Sequence, residues 1–424
     1  MKTVIVAGCR TPFLRSGTDF ADLSAIELGK VAVREAVARS GLRPDRVDHL
    51  VYGTVIPDTQ APNIAREVGL ATLPRDVPAW SVSRACTSAN QAIADGCSLI
   101  ELGQADVVVA GGAESLSRIP FTVSDRLAKS LMEASKGKTL GARLAPFRKI
   151  RPRHLVPRSP AIAEPSTGET MGAAAERMAK ENGIRREDQD AWALGSHLKA
   201  AAGVADGRIP AEVAPLYLPP SYEKVVAADN GIRTDSSLEA LAKLRPVFDR
   251  KHGSVTAGNA SPLTDGASAV VLMDGEKAVA EGLRPLAWVR SWAWAALDPG
   301  AQLLMGPAYA APRALERAGL SMKDIGLMEM HEAFAAQVLS NLQALSSDAW
   351  SKRELGREKA TGHPDPDVIN VMGGSISIGH PFGGTGGRLT MTLVNEMARR
   401  DVQFGLLTLC AAGGMGFAMV LERR

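Results

Sequence analysis

Two cysteines and two histidines stand where this chain has the features of turns and element ends. Cys86 lies in SRACTSANQA and Cys410 in TLCAAGGMG, while His331 begins HEAFAAQ and His380 lies in GGSISIGHPFGGTGG. A thiolate is a strong nucleophile, and a neutral imidazole is well suited to take the proton of a thiol near neutral pH. Two thiols with two imidazoles therefore indicate thioester exchange.

Cys86 is expected where a strand over residues 79–83 gives way to a helix over about 88–102. The N–H groups and the dipole of a helix terminus favour a thiolate, which predicts a lowered pKa for this thiol. A small buried hydrophobic residue is the alternative interpretation, and it suits Cys97, inside the same helix, better.

The second thiol and the imidazoles suit the remaining steps of such chemistry. Cys410 ends a predicted strand, and the small residues 411–414 leave room for a substrate and expose backbone N–H groups to an oxyanion. His380 lies in a glycine-rich loop that lacks the endings of a P-loop and of a dinucleotide fingerprint. His331 follows a predicted strand and, taken alone, is better interpreted as a polar residue that caps an element. Glu332 is interpreted as a structural acid at a helix start.

Alternating strand and helix patterns must position these residues. Strands are predicted over 3–7, 48–53, 79–83, 106–110, 325–330, 368–371, 405–410 and 416–421, and helices over 23–40, 88–102, 307–319, 334–345 and 387–399. Strand, helix and strand at this spacing indicate βαβ units and a mostly parallel sheet. Two segments share small residues and glycines followed by an apolar strand, namely VTAGNASPLTDGASAVVLMD and TLCAAGGMGFAMVLE. This similarity favours two similar α/β halves, although unrelated βαβ domains also share such a pattern.

Residues 118–250 interrupt that pattern. Prolines cluster in RPRHLVPRSPAIAEPS, and amphipathic helices are predicted over 171–182 and 187–202. Long ordered insertions of this kind often cover an active site. Residues 129–158 are rich in Lys and Arg, with Glu133 as the only acidic residue, for which a solvated basic face is the default interpretation.

Composition excludes several classes of protein. A chain of 424 residues is too long for one ordinary core, and a net charge of +3 with 4% aromatic residues argues against a nucleic-acid surface. Four scattered cysteines without a C-x-x-C pair predict neither a disulfide framework nor a zinc site. No signal peptide and no apolar run of about 20 residues are evident, so a cytoplasmic location is expected.

Five motifs, in this order and over nearly the whole chain, resemble the thiolase family. They are Cys86 followed by Ser88, the VTAGNASPLTDGA segment, HEAF, and GHP followed by C-x-x-GG-x-G. HEAF replaces the N-E-A-F of most thiolases and resembles the thiolase (β) subunits of fatty-acid β-oxidation, or trifunctional, complexes.

The resemblance implies an α/β thiolase fold, with two similar halves and mixed sheets in a five-layer α-β-α-β-α arrangement. The expected divisions are residues 1–120 completed by 251–274, an inserted loop domain over 121–250 that covers the active site and the CoA site, and residues 275–424. The implied activity is that of an acetyl-CoA C-acyltransferase, which cleaves 3-ketoacyl-CoA with coenzyme A as co-substrate and without a cofactor or metal.

The resemblance also assigns the reacting groups. Cys86 would be the acylated nucleophile, His380 its base and Cys410 the second acid and base. His331 would help to hold the thioester oxygen. A second oxyanion site would consist of the N–H groups of Cys86 and Ala412, although many thiolases have glycine at this last position.

Further implications concern the substrate and the partners. Ser261 would lie by the pantetheine arm of CoA and Met171 near the acyl group. A homodimer or tetramer is implied, with a hydratase/dehydrogenase α-subunit as a further candidate partner and no nucleic acid. Residues 129–158 would meet CoA phosphates, a partner subunit or an anionic membrane surface.

Two alternatives remain open at this stage. One is a biosynthetic acetoacetyl-CoA thiolase, which runs the same chemistry as a Claisen condensation. The other is a non-catalytic acyl-CoA-binding or scaffold protein on the same fold, which would be expected to have lost Cys86 or His380. A decarboxylating ketosynthase would lack a cysteine at position 410, and a papain-like hydrolase would leave Cys410 unexplained.

Overall fold

A computed structural model of the chain describes residues 2–158 and 163–424. The strands are β1 Thr3–Arg10, β2 Leu14–Arg15, β3 His49–Gly53, β4 Ala79–Val82, β5 Val107–Glu114, β6 Leu216–Tyr217, β7 Val225–Val226, β8 Thr264–Asp274, β9 Ala287–Ala296, β10 Leu327–Met330, β11 Phe404–Ala411 and β12 Met415–Glu422. The helices are α1 Ala25–Ser40, α2 Ile64–Thr72, α3 Ser88–Glu101, α4 Asp125–Ser135, α5 Leu140–Leu144, α6 Met171–Glu181, α7 Arg186–Ala205, α8 Arg208–Glu212, α9 Leu238–Ala242, α10 Gly275–Ala280, α11 Gly306–Ala318, α12 Ala335–Leu345, α13 Asp348–Leu355, α14 Ser375–Ile378 and α15 Thr385–Arg400.

The long strands form one mixed sheet in the order β10-β11-β12-β9-β1-β8-β5-β3-β4. β1 and β9 pair over only two residue pairs, so the sheet divides at this point into two parts. In the N-terminal part, β1 pairs antiparallel with β8, β8 antiparallel with β5, and β5 parallel with β3. In the C-terminal part, β9 pairs antiparallel with β12, β12 antiparallel with β11, and β11 parallel with β10. The repeated plan confirms the prediction of two similar halves. The prediction of a mostly parallel sheet is wrong, because among the neighbours in this order only β10 with β11, β5 with β3, and β3 with β4 pair in parallel.

Three apolar cores separate the layers of helices and sheet. The first packs α1 and α2 on the N-terminal part of the sheet, the second encloses α3 and α15, and the third packs α11 and α12 on the C-terminal part. On β5, Val107 and Val109 face the first core while Val108 and Ala110 face the second, as the pleat requires of a strand that is buried on both faces. The five layers are α1 with α2, the N-terminal part of the sheet, α3 with α15, the C-terminal part of the sheet, and α11 with α12. This order confirms the predicted five-layer arrangement.

The predicted strand over residues 368–371 is wrong. A 3₁₀ turn over Pro366–Val368 occupies its start, and Asn370 has a φ of 46°, which a strand does not allow. The side chain of Asn370 replaces the missing ladder, because its Oδ1 accepts from the N–H of Met330 at 2.8 Å and its Nδ2 donates to the Met330 carbonyl at 2.9 Å. One amide side chain thus fixes the end of β10, where His331 follows.

The inserted region packs against the loop that carries HEAF. Phe248 lies edge-on to Phe334, with ring centroids 6.2 Å apart, and a Cβ at Gly172 would come within 1.8 Å of the Phe248 ring. The boundaries of this domain at residues 121 and 250 stay a prediction. Within the described parts of the chain, no helix has both the length and the apolar character needed to cross a membrane.

Candidate active site

Cys86 sits in a tight turn between β4, which ends at Val82, and α3, which begins at Ser88. Ala85 has a φ of 47°, an uncommon conformation for a residue with a side chain. Ser88 holds this turn, because its Oγ accepts from the N–H of Arg84 at 2.8 Å and donates to the carbonyl of Ala85 at 2.7 Å. The turn leaves Cys86 half-buried at the start of the helix.

The structure brings the predicted reacting groups together. The Sγ of Cys86 and one ring nitrogen each of His331 and His380 all lie within 4.8 Å of one another, and the two ring centroids are 4.2 Å apart. The N–H of Ala412 lies near enough to the Cys86 thiol to lower its pKa. Burial raises the pKa of the Cys410 thiol, and the neighbouring Cys86 raises it further.

Each histidine ring is anchored through Nδ1 by a hydroxyl group. The Nδ1 of His331 lies 2.8 Å from the Oγ of Ser375, and the Nδ1 of His380 lies 2.6 Å from the Oγ1 of Thr385. In the described residues, the Nε2 of each ring is buried without a partner. Both rings therefore keep Nε2 available for a bound substrate.

Burial sets the resting protonation of this centre. It raises the pKa of Cys86 to about 12, and the N–H groups of Ala412 and of Cys86 itself oppose this only in part. Burial, with Arg388 adding to it, lowers the pKa of His380 to about 3, and burial followed by the nearby His380 and Arg388 lowers that of His331 well below its ordinary value. The centre at rest is a neutral thiol beside two neutral imidazoles.

The prediction of a lowered pKa for Cys86 is therefore wrong. The first helical residue of α3 is Ser88, so Cys86 lies outside the helix, and its loss of hydration outweighs the opposing effect of the Ala412 and Cys86 N–H groups. Activation consequently depends on proton transfer to a neighbouring base during attack rather than on a thiolate that exists beforehand.

Alkylation of Cys86 by iodoacetamide is expected to be slow at neutral pH and to rise about tenfold per pH unit up to about pH 10. The reason is that the thiolate fraction grows tenfold per unit below the pKa, which burial raises to about 12. Peptide-resolved mass spectrometry measures the rate at this residue alone, with glutathione as the control for an ordinary thiol. A plateau for Cys86 below about pH 9, where an unperturbed thiol approaches full ionisation, would contradict the raised pKa.

Sequence reasoning missed the role of Glu332 in holding the site. Its buried carboxylate accepts from Trp192 Nε1 at 3.0 Å, Ser196 Oγ at 2.8 Å, Asn370 Nδ2 at 2.8 Å and the N–H of Ile376 at 3.2 Å. These bonds tie the HEAF loop to α7 and to the glycine-rich loop. Trp192 is 140 residues away in sequence, so no local pattern could have revealed the contact.

A second buried acid, Glu114 at the end of β5, was missed for the same reason. Its carboxylate accepts from the N–H groups of Val55, Ile56 and Gly383 at 2.9 to 3.0 Å, and from the hydroxyl of Thr54. Burial raises its pKa to about 7 against the opposing effect of these donors. Glu114 thereby joins the loop after β3 to the loop that carries His380.

Of the two residues predicted to bind substrate, Ser261 lies on a segment that borders the site. The N–H of Ser261 donates to the carbonyl of Ala333 at 3.0 Å, and Leu263 pairs with His380 in an isolated parallel β-bridge. This segment therefore runs beside both histidine loops. Met171 begins α6 and is half-buried against the third core. Their contacts with a substrate stay a prediction.

The central cluster also has the composition of a metal site. One thiol and two imidazoles within 4.8 Å are ligand types that suit Zn²⁺. Coordination requires the thiolate, which the raised pKa of Cys86 disfavours. The expectation that no metal takes part in the reaction stays a prediction.

Comparisons with known proteins agree over both halves of the chain. Residues 3–276 match the family model described as the thiolase N-terminal domain, and residues 283–423 match that of the thiolase C-terminal domain. The chain is 49% identical over 422 residues to the 3-ketoacyl-CoA thiolases of Yersinia pestis (strain Pestoides F) and Yersinia pseudotuberculosis serotype O:1b (strain IP 31758). These alignments cover 99% of this chain and 97% of each relative.

Solved structures resemble the fold over the same extent. The acetyl-CoA acetyltransferase of Bacillus anthracis superposes with a TM-score of 0.85 at 34% identity, covering 99% of this chain and 98% of that one. Human mitochondrial 3-ketoacyl-CoA thiolase superposes with a TM-score of 0.83 at 32% identity and the same coverage. The human enzyme in complex with CoA gives a TM-score of 0.83 at 31% identity, covering 100% of this chain and 98% of that one.

Proposed function

This chain belongs to the thiolase family, and we propose on that premise that it is a 3-ketoacyl-CoA thiolase of fatty-acid degradation. It is an acyltransferase that cleaves a 3-ketoacyl-CoA with CoA to give acetyl-CoA and a shortened acyl-CoA. The observation that carries this function is the cluster of Cys86, His331 and His380, whose reactive atoms lie within 4.8 Å of one another, with Cys410 beside it. Binding of CoA by the human enzyme supports CoA as the co-substrate.

The first half-reaction forms an acyl-enzyme. The Nε2 of His380 takes the proton of the Cys86 thiol as the sulfur attacks the 3-keto carbon. The bond between C2 and C3 then breaks, and its electron pair leaves with the enolate of acetyl-CoA. His331 holds the enolate oxygen by a hydrogen bond from Nε2, and the thiol of Cys410 protonates C2 to release acetyl-CoA.

The second half-reaction transfers the acyl group to a new CoA. The thiolate of Cys410 takes the proton of the CoA thiol, and the CoA sulfur attacks the carbonyl of the Cys86 thioester. The N–H groups of Cys86 and Ala412 hold the resulting oxyanion, an assignment supported by the effect of both groups on the pKa of this thiol. Collapse expels the Cys86 thiolate, which recovers its proton from His380.

Alanine at position 412 is compatible with this role. The functional group is the backbone N–H, which an alanine supplies as well as a glycine does, and Gly413 and Gly414 provide the positive φ angles of 82° and 65° that the turn needs. The N–H of Gly413 donates to the buried carboxylate of Glu164 at 2.8 Å, which holds the turn against the inserted region. Ser261 is proposed to contact the pantetheine arm, since its segment borders both histidine loops, and Met171, which packs against the core that contains Cys410, is proposed to contact the acyl group.

Condensation of acetyl units is the second candidate function. The same groups would run both half-reactions in reverse, and the likeness to the acetyl-CoA acetyltransferase of Bacillus anthracis, with a TM-score of 0.85, favours keeping this candidate. A non-catalytic acyl-CoA-binding role is less well supported, because a scaffold has no need for the assembled thiol and imidazole groups.

The test is CoA-dependent cleavage of 3-ketoacyl-CoA substrates with four to about sixteen carbons by the purified full chain. A degradative enzyme is expected to cleave substrates longer than acetoacetyl-CoA with a higher kcat/KM than acetoacetyl-CoA itself. Preference for the four-carbon substrate would favour the condensing role. Absence of cleavage of every substrate, with Cys86 remaining unacylated, would overturn the proposed function.

We further propose that residues 129–158 contact an anionic surface. Large apolar side chains are exposed there, namely Leu131, Met132, Leu140, Leu144, Leu155 and Val156. Exposed basic side chains lie among them, namely Lys129, Lys136, Lys138, Arg143, Arg148, Lys149, Arg151, Arg153 and Arg158. Apolar and basic groups side by side suit the headgroup region of a membrane.

We also propose that the chain forms a homodimer or tetramer, binds a hydratase/dehydrogenase partner and is located in the cytoplasm. Membership of the thiolase family supports these three proposals.

Co-sedimentation with phosphatidylserine-containing vesicles is expected, and combined alanine substitution of Arg148, Lys149, Arg151 and Arg153 is expected to lower the partition coefficient at least about tenfold. The control is a double variant, Arg284→Ala with Lys323→Ala, which removes exposed charges elsewhere. Equal sedimentation of both variants with the wild type, or no sedimentation at low salt, would contradict the membrane contact.

A further inference from the structure

Behind His331 lies a line of buried polar groups that the reaction steps above do not use. The Nη2 of Arg388, on α15, donates to the Oγ of Ser375 at 2.9 Å, and this oxygen lies 2.8 Å from the Nδ1 of His331. The Nη1 of Arg388 lies 3.5 Å from a carboxylate oxygen of Glu329, on β10. All four side chains are at most 1% exposed, so solvent cannot satisfy their hydrogen bonds.

The chemistry of the donors fixes the direction of these bonds. A guanidinium only donates, so Ser375 accepts from Arg388 and keeps its own O–H for another partner. Among the residues that the structure describes, the only other hydrogen-bond partner of this Oγ is the Nδ1 of His331. If Nδ1 carried a proton, the hydroxyl hydrogen would be buried without an acceptor, which is unfavourable. Ser375 therefore donates to Nδ1, and the ring proton of neutral His331 is on Nε2.

His380 is held in the opposite way. The hydroxyl of Thr385 donates to the carbonyl of Pro381 at 3.0 Å, so its oxygen accepts from the Nδ1–H of His380 at 2.6 Å. The Nε2 of His380 is then a bare lone pair. Two imidazoles whose centroids are 4.2 Å apart thus present different atoms to the substrate, a hydrogen-bond donor from one ring and a proton acceptor from the other.

We propose that Ser375 and Arg388 are positioning residues that hold His331 as its Nε2–H tautomer. In this form His331 donates to the oxygen of a thioester or of its enolate and cannot compete with His380 for the proton of Cys86. The benefit to catalysis rests on the proposed function, whereas the placement of the proton does not. A bare Nε2 on His331 would instead direct a lone pair at the developing negative charge, which raises the barrier.

The test is ¹⁵N NMR of the full-length protein labelled at the histidine ring nitrogens, in which a protonated and a bare nitrogen have well-separated chemical shifts. Loss of signals in His331→Asn and in His380→Asn assigns the two rings. We expect the proton on Nε2 of His331 and on Nδ1 of His380. In Ser375→Ala we expect His331 to lose its single tautomer and kcat to fall roughly 10- to 100-fold with KM little changed.

Two further variants separate this role from packing. Ser375→Thr keeps the hydroxyl and is expected to restore the tautomer and most of kcat. Ser377→Ala is the matched control, because Ser377 is a buried serine of the same short helix that bonds to Ser196 and to the Gly374 carbonyl rather than to a histidine. It is expected to leave the His331 tautomer unchanged.

Each outcome has a defined meaning. A proton on Nδ1 of His331 in the wild type, or an unchanged Nε2–H tautomer in Ser375→Ala, would overturn the proposal. If Ser375→Ala does not fold, the tautomers of the wild type and of Ser375→Thr decide. A wild-type protein with the expected tautomers but without thiolysis would overturn the proposed function and the catalytic benefit, while the assigned protons would stand.

Discussion

Replacement of Cys86 by alanine is expected to lower kcat/KM for CoA-dependent cleavage by at least about 10⁴-fold. Without this sulfur no acyl-enzyme forms, and carbon–carbon cleavage loses its covalent path, which is the largest loss that any single substitution in such a unit produces. No neighbouring group replaces this sulfur, because His331 and His380 carry no thiol and the buried thiol of Cys410 is already assigned to proton transfer. The measurement is steady-state thiolysis followed through the loss of the 3-ketoacyl-CoA.

Cys97→Ala is the matched control for this prediction. Cys97 lies in the same helix, α3, but is buried in the middle core. Its replacement is expected to reduce the free energy of unfolding by about 1 kcal/mol and to change kcat/KM by less than about threefold. A Cys86→Ala enzyme that keeps more than about 1% of wild-type activity would contradict the role given to Cys86.

Replacement of Cys410 by alanine is expected to lower kcat by roughly 10³-fold or more. This thiol handles a proton in both half-reactions, and loss of a positioned acid or base in one step alone costs about 10²- to 10⁴-fold. Cys86 keeps its own surroundings in the variant, so it remains the site of acylation. Rapid-quench measurement of acyl-enzyme formation, and separately of its reaction with CoA, is expected to show that both steps are slow.

Cys410→Ser provides the matched variant of similar size. Because a serine hydroxyl is a far weaker acid than a thiol, we expect the kcat of Cys410→Ser to be close to that of Cys410→Ala rather than to that of the wild type. If only the first half-reaction slowed while CoA cleaved the acyl-enzyme at the wild-type rate, the second role of Cys410 would be wrong.

The parts of the fold that depend on local patterns could be predicted from the sequence. The apolar runs of β5 and β11 and the amphipathic helices around them indicated two βαβ halves, and the repeated strand order is the three-dimensional form of that repetition. The strand expected over residues 368–371 failed because the backbone of Asn370 takes a left-handed conformation while its side chain bonds to β10. The pattern of apolar and polar residues does not show whether a segment bonds to the neighbouring strand through its backbone or through a side chain.

The candidate site divides in the same way. Cys86, His331, His380 and Cys410 were recognisable because each lies in a short motif at the end of an element. Their supporting groups were not, because Glu332, Ser375 and Arg388 act through partners brought together only by folding. The sequence also predicted the wrong sign for the shift of the Cys86 pKa, because segments distant in sequence bury this thiol and thereby raise its pKa.

The most direct test of the central claim is mass spectrometry of the protein after incubation with a 3-ketoacyl-CoA in the absence of added CoA, quenched in acid. We expect one acyl group per chain, located by peptide mapping on Cys86 and removed by addition of CoA at a rate compatible with turnover. An acyl group on Cys410 or on another residue, or cleavage of the substrate without any acylated protein, would contradict it.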